Sequence, residues 1–541
     1  MSSLGIAALA GWGCRDEDRR TPPTPTLSPT STPAVTDAGP RAGGTLRVLH
    51  GEMSGLLDPH RMSPGLEGDM WQWTGSYLLR RDTVHPFGPV PDLAVSLPEL
   101  PGDGTLVTFK VNPRATFHQK ASANGRPVTA NDVKAAFDRI RSAGARLPRS
   151  ASYGFVDSIV APDAATVQFK LKTPRADLLA IISDGFDIVL PQEIAARPDA
   201  FTGSSDIVGT GPYQLDAFEA GRVKLIRRKD THWGSHTGWV DACDMAFHQD
   251  EATRANALLE RSADLTHLPG SVAEVFRNRP DFDVASAPTV ARHVLFLNHT
   301  NIRYKDVRFR QALWRAVDRS LFYGPFGDGV PAGPLAPSAA TWALNETELS
   351  ALPGFGPRSQ DLAQAAALLA AAGAPPDGYE DILLTSGAAG LPVLAQRLVE
   401  SVAETGIRLR IVEVPGDYGE LQKLMASGNF SLALGVSLAG PYPDAQLYSY
   451  YHSRNGGANY GKYVNLAMDA RLDKQRALLD ASERTKMLKE MQRDLISAPG
   501  PIWIGSPNHI RVASSRVKGL RAMPFPSGYD DADRIWLGGR T

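Results

Sequence analysis

From Gly43 onward the chain alternates apolar and polar positions. In Thr45-Leu46-Arg47-Val48-Leu49 every second residue is apolar, the two-residue period of a half-buried strand. Thr105–Val111, Thr166–Leu171, Tyr213–Leu215 and Arg222–Arg228 repeat that period. Val294-Leu295-Phe296-Leu297 is instead a continuous apolar run ending at Asn298, as expected of a strand covered on both faces. Between the strands the period changes to that of a helix. Val133, Ala136, Phe137 and Ile140 fall on one stripe behind Thr129, a predicted N-cap, with Asp132 in the first turn opposing the helix dipole. Val307, Ala312, Leu313, Ala316 and Val317 form a second stripe, whose arginines are expected to face water beside Asp306 and Asp318. Asp361–Gly373 predicts a third helix ended by Gly373. Leu178–Ser183 is a short apolar element, and a further helix is expected to begin at Leu190-Pro191. The series Ala395–Glu404 helix, Leu409–Val414 strand and Tyr418–Ser427 helix has the cadence of βαβ units, so the fold class predicted is α/β.

One turn interrupts the pattern in mid-chain. Gly209-Thr210-Gly211-Pro212 leads into Tyr213-Gln214-Leu215, with two glycines that permit positive φ and close backbone approach and a proline that stiffens the entry to the strand. The segment after Pro212 is strand-like and a third glycine is missing, so this is not a dinucleotide fingerprint.

At 541 residues the chain is too long for one core and implies roughly three domains of about 150 residues. A formal net charge of -1 gives no electrostatic case for nucleic acid or for an acidic membrane surface. Thr21–Pro40 is rich in Pro, Thr and Ser and reads as an extended tether. No apolar run reaches about 18 residues, so no membrane span is predicted. Of two cysteines, Cys243 reads as a buried thiol. Cys14 ends the small-residue stretch Leu4–Gly13 and precedes a charged run, similar to the end of a bacterial lipoprotein signal in which the cysteine carries the lipid.

The chain shows no familiar catalytic constellation. There is no HExxH, CxxC or GxSxG, and Gly456–Tyr463 misses a phosphate loop because Tyr463 stands where Mg²⁺ needs Ser or Thr. His118 and Trp233 read as structural. No enzyme, cofactor or metal is expected.

Blocks in matching order carry a resemblance to the family 5 extracytoplasmic solute-binding proteins, the dipeptide, oligopeptide and nickel receptors of ABC importers. They are Leu57-Asp58-Pro59-His60, Pro91-Asp92-Leu93-Ala94, Phe117-His118, Pro127–Val133, Gly209–Tyr213, Lys229–Gly234, Lys305–Arg319 and Asp361–Gly373. The resemblance spans residues 43–541 and is of the actinomycete oligopeptide-binding lipoprotein type. It implies a two-lobed periplasmic-binding-protein-like fold with an additional domain in the first lobe. The expected division is 1–20 signal remnant, 21–42 tether, 43–79, 206–297 and 506–541 first lobe, 80–205 extra domain, and 298–505 second lobe. It further implies a monomer outside the cell, lipid-anchored to the outer face of the cytoplasmic membrane, that captures an oligopeptide and delivers it to an ABC permease.

In peptide-binding relatives the loop matching Ser437–Leu447 supplies an aspartate to the ligand's α-ammonium. Here Pro441 takes that place and Leu438 replaces a tryptophan. The expected ligand contacts are Asp444, Tyr442, Pro441, Leu438, Tyr460, Asn459 and Arg454, with Glu67 from the first lobe. The missing carboxylate leaves open a non-peptide cationic metabolite, for example in an antibiotic (clavam-type) pathway, or a hydrolase on the same scaffold.

Overall fold

The structure is a computed structural model. It describes residues 39–61, 65–82, 88–98, 102–142, 147, 149–183, 185–230, 232–234, 238–323, 329–339, 341–388, 390–437, 440, 442–454, 456–522 and 531–538. Cys14, Leu438 and Pro441 lie outside them.

The elements that position the site are, in chain order, β1 (Thr45–His50), α1 (Leu66–Thr74), β2 (Leu106–Lys110), α2 (Ala130–Arg141), β3 (Val156–Asp163), β4 (Thr166–Leu171), β5 (Tyr213–Glu219), β6 (Arg222–Arg227), β7 (Ala242–Phe247), β8 (Leu265–His267), β9 (Phe282–Pro288) and β10 (Arg292–Leu297). They continue as α3 (Val307–Ala316), α4 (Arg358–Ala371), β11 (Tyr379–Ser386), α5 (Leu391–Ala403), β12 (Ile407–Val414), α6 (Tyr418–Ser427), β13 (Leu432–Ser437), α7 (Leu466–Ala477), α8 (Ala481–Ser497) and β14 (Ile502–Ser514).

One mixed sheet runs in the order β12-β11-β13-β10-β14-β8-β1-β7-β6-β5, with β9 and the short strand Gly329–Pro331 also paired to β14. β14 is shared by two half-sheets. Its first residues pair with β10, as in Leu295 opposite Ile502, and its last with β8 and β9, as in Leu265 and Asp283 opposite Ala513. The apolar residues accordingly separate into two large cores. One gathers β1, α1, the strands β5–β8 and residues 77–207. The other gathers residues 294–504. The segment β2–β4 makes its own antiparallel sheet of order β2-β4-β3, onto which α2 packs.

The expected elements are present, and the local chemistry shows why. Asp132 accepts from the Thr129 amide at 2.8 Å and hydroxyl at 2.9 Å, fixing the start of α2. Gly373 sits at φ +80° just beyond α4, in the left-handed conformation that releases the chain from a helix. The helix expected from Leu190 is one turn, Gln192–Ala195.

Gly209 and Gly211 are required for closeness, not for positive φ. A Cβ on Gly209 would lie 1.9 Å from the Thr74 carbonyl oxygen, and one on Gly211 would lie 2.6 Å from that of Trp73, so the turn is pressed against the end of α1. His118 clamps it from the other side. Nδ1 accepts from the Gly209 amide at 3.3 Å, and Nε2–H donates to the Gly211 carbonyl at 3.0 Å.

Arg310 departs from expectation. It is buried and donates to the carbonyls of Pro499 at 2.7 Å, Tyr304 at 2.8 Å and Lys305 at 3.1 Å, because the flat guanidinium fork satisfies orphaned carbonyls as well as it pairs with carboxylates. Arg308 beside Asp306 behaves as expected. Cys243 is a buried thiol in β7.

Candidate ligand-binding crevice

In an open α/β sheet the chain leaves each parallel strand at its carboxyl end, and the crevice outside those ends is where side chains from successive loops converge. This molecule has two such edges. On one half-sheet β1 is parallel to both β7 and β8, and His50 and His267 close the adjacent strands β1 and β8, one residue past the Leu49–Thr266 pair. On the other, β11, β12 and β13 are parallel and end at Ser386, Val414 and Ser437. β14 joins the edges. Ser506 is level with the end of β13, since Arg292 pairs with Ser437 and His293 with Gly505, whereas Arg511 pairs with His267. From Ser506 to His509 is about 10 Å of extended chain.

The first edge is lined by imidazoles. His267 and His509 stack with centroids 4.2 Å apart, and His50 lies 6.2 Å from His267 and 3.7 Å from the Asp69 carboxylate. Burial, together with Arg511 and Arg254 nearby, pushes the His50 pKa down to about 4, and burial likewise holds His267 well below its usual value. The His50 and His267 rings are therefore neutral at pH 7. The second edge is buried and polar. Thr385, Ser386, Ser437, Ser506 and Arg292 are all 0% exposed.

The residues expected to touch ligand do not all converge here. Glu67 is buried in α1, and its carboxylate accepts from the Ser54 and Gly55 amides at 2.8 Å each, so it shapes the loop after β1. Asn459 closes a turn by two 2.8 Å bonds to the Tyr463 backbone. Tyr460 is half-buried against Phe296 at 5.4 Å, and Arg454 is exposed.

Tyr442 belongs to the first hydrophobic core although it follows β13 in the second, and its hydroxyl faces Ser152 and Arg149. Asp444 is buried, with Arg175 and Gln475 donating to it and Arg476 Nε 2.6 Å away. Its amide donates to Asp177 at 3.2 Å, and Arg484 pairs with Asp177 in turn. The Ala176 amide donates to the Arg476 carbonyl at 2.8 Å. The carboxylate is thus occupied by two guanidinium groups and an amide. It fastens residues 175–177 to the segment after β13 and to α7 and α8.

His50, His267, His509, Arg292 and Ser506, which line the two edges, were not among the residues singled out from the sequence. The available signal was a cation opening an apolar run, Arg292 before Val294–Leu297, and a histidine, His50, directly after the predicted strand Thr45–Leu49.

Comparison with known proteins agrees with this architecture. Protein XP55 of Streptomyces lividans is 28% identical over 506 residues, covering 88% of this chain and 87% of its own. The glutathione-binding protein GsiB of Salmonella typhi is 25% identical, covering 80% and 83%. Among solved structures, the ABC transporter-associated periplasmic binding protein DppA from Helicobacter pylori, in complex with peptide STSA, superposes with a TM-score of 0.73 at 21% identity, over 92% of this chain and 99% of that one. The profile of the bacterial extracellular solute-binding proteins, family 5 Middle, matches residues 88–459. With two half-sheets, two cores and a shared crossing strand already in place, that match over more than half the length means that the chain belongs to the family 5 extracellular solute-binding proteins.

Proposed function

We propose that this solute-binding protein captures a peptide in the crevice between its two carboxyl edges, and that the halves close over it to present it to an ABC permease. The observation that carries the reading is the confrontation of the two polar edges across β14. The peptide complex of the Helicobacter pylori neighbour and the glutathione-binding function in the name of the Salmonella relative support peptide as the solute class. The division proposed is 43–79, 206–297 and 506–541 for the first lobe, 80–205 for the added domain and 298–505 for the second lobe. The separation of the lobes is supported by the two large cores, and the added domain by the separate sheet β2-β4-β3. A cationic metabolite would need a carboxylate counter-ion, and the nearby Asp444 is engaged with Arg175 and Arg476. No chemistry on the ligand is proposed.

The test is titration of the purified chain with pools of di-, tri- and tetrapeptides, read by thermal unfolding. A peptide at a hundred times its Kd should stabilise the protein by about 2.7 kcal/mol. No shift with any pool at millimolar concentration would remove the peptide reading. For lipid anchoring we propose Cys14. Cys14→Ser should move the protein from the membrane to the soluble fraction, and unchanged membrane retention would refute it.

A further inference from the structure

Within the second edge one group is out of balance. Arg292 is fully buried at the start of β10, its guanidinium carbon 3.7 Å from the centre of the Trp503 ring. Nη1 donates to the Pro334 carbonyl. Nε and Nη2 are buried and find no acceptor among the described residues, and no other arginine there has two buried nitrogens in that condition. The other buried arginines show how the fold normally treats such a charge. Arg175 and Arg484 meet carboxylates, and Arg310 spans three backbone carbonyls. Burial lowers its pKa to about 10, and among the described residues the phenols of Tyr450 and Tyr451 are the groups that oppose that shift.

The unmet nitrogens are not scattered. Nε and Nη2 form one straight side of the guanidinium plane, the side that receives both oxygens of a carboxylate in parallel hydrogen bonds. Ring stacking on one face and the Nη1 bond at the far corner fix the plane's orientation, so that this side is preorganised. Ser437 is its neighbour in the β10–β13 pair. Ser506 lies one residue beyond the His293–Gly505 pair, and its buried hydroxyl also has no partner among the described residues. The three side chains form a row across β13, β10 and β14 at the carboxyl edge that borders the crevice.

We propose that Arg292, with Ser506 beside it, is a subsite for a carboxylate of the captured solute. An acyclic solute could bring that group as a peptide C-terminus or as an acidic side chain, and the chemistry at Arg292 is the same for both. The proposal rests on the reading of the chain as a peptide receptor and extends it by naming which end or side group of the peptide is gripped.

The experiment uses the full chain and three tripeptide pools: neutral side chains with a free C-terminus, the same pool C-amidated, and an amidated pool containing Asp and Glu. Affinity is read by calorimetry and thermal unfolding. The wild type should prefer the free-acid pool to its amide by about ten- to a hundredfold, the scale of a lost charge-assisted bond. If an acidic side chain is the natural partner, the amidated acidic pool should recover that preference. Arg292→Gln should bind all three pools alike, and Arg292→Lys should keep part of the preference and control for a folding defect. Equal affinity of the wild type for free-acid and amidated neutral and acidic pools, or an unchanged preference in Arg292→Gln, overturns the subsite while leaving peptide capture intact. If no pool binds, the peptide reading fails instead. Acetate, malonate and succinate titrated against wild type and Arg292→Gln then decide the subsite alone: stabilisation of the wild type only supports it, and no difference overturns it.

Discussion

A histidine closed away from water has a free-energy preference for staying neutral, and this protein carries several. His50, His60 and His293 have pKa values pushed down to about 4 and His118 to about 3, in each case chiefly by burial. In the unfolded chain each would titrate near 6.5. Between those values the unfolded state binds more protons than the folded one, so stability is fully present above pH 6.5 and is lost as pH falls toward 4. Each such histidine contributes a slope of about 1.4 kcal/mol per pH unit across that window. The urea midpoint should therefore drop markedly between pH 7 and pH 5, and His50→Gln should make the drop shallower if the variant folds. A midpoint that does not move over that range would show that these rings are already hydrated.

At the scale of single elements, periodic sequence was readable and contact was not. α2 and α4 could be placed because a helix buries one stripe and leaves the rest polar, and β1 because a strand alternates. The buried cluster around Asp444 left no such trace, since Arg175 is 269 residues away and Asp177 and Arg484 are 307 apart. A charge pair at that distance looks like two surface charges. The glycine turn was half-legible. Its residue types announced a special backbone, but which of two special needs they met depended on α1, more than a hundred residues earlier. The consequence can be tested with one methyl group. Gly209→Ala should destabilise by about 1–3 kcal/mol or more, because the Thr74 carbonyl must move. Gly203→Ala, with nothing within 4 Å of the added Cβ, should change stability by less than about 0.5 kcal/mol. Similar losses in both variants would mean that the turn is looser than this geometry.

For the molecule as a whole, the Asp444 cluster and Tyr442 tie the β2–β4 region to the half that follows β10. Buried ion pairs contribute little net stability against apolar alternatives, yet removing one partner strands the others. Asp444→Asn should accordingly cost about 3–5 kcal/mol in urea unfolding. If instead Asp444→Asn leaves unfolding untouched and weakens only peptide binding, the residue is a ligand contact after all. The two-lobed plan was legible in advance because motif order survives where identity does not, and its ligand-facing groups were not, because they become neighbours only when strands from distant parts of the chain lie side by side.

β14 has a bearing on time as well as on space. It lies at residues 502–514 and pairs with strands of both half-sheets, including β10 at one end and β8 at the other. Neither half-sheet can be completed until the chain has been made as far as Ser514. The nascent chain consequently lacks its central strand until then, and the arrival of β14 completes both halves and the floor between them at once.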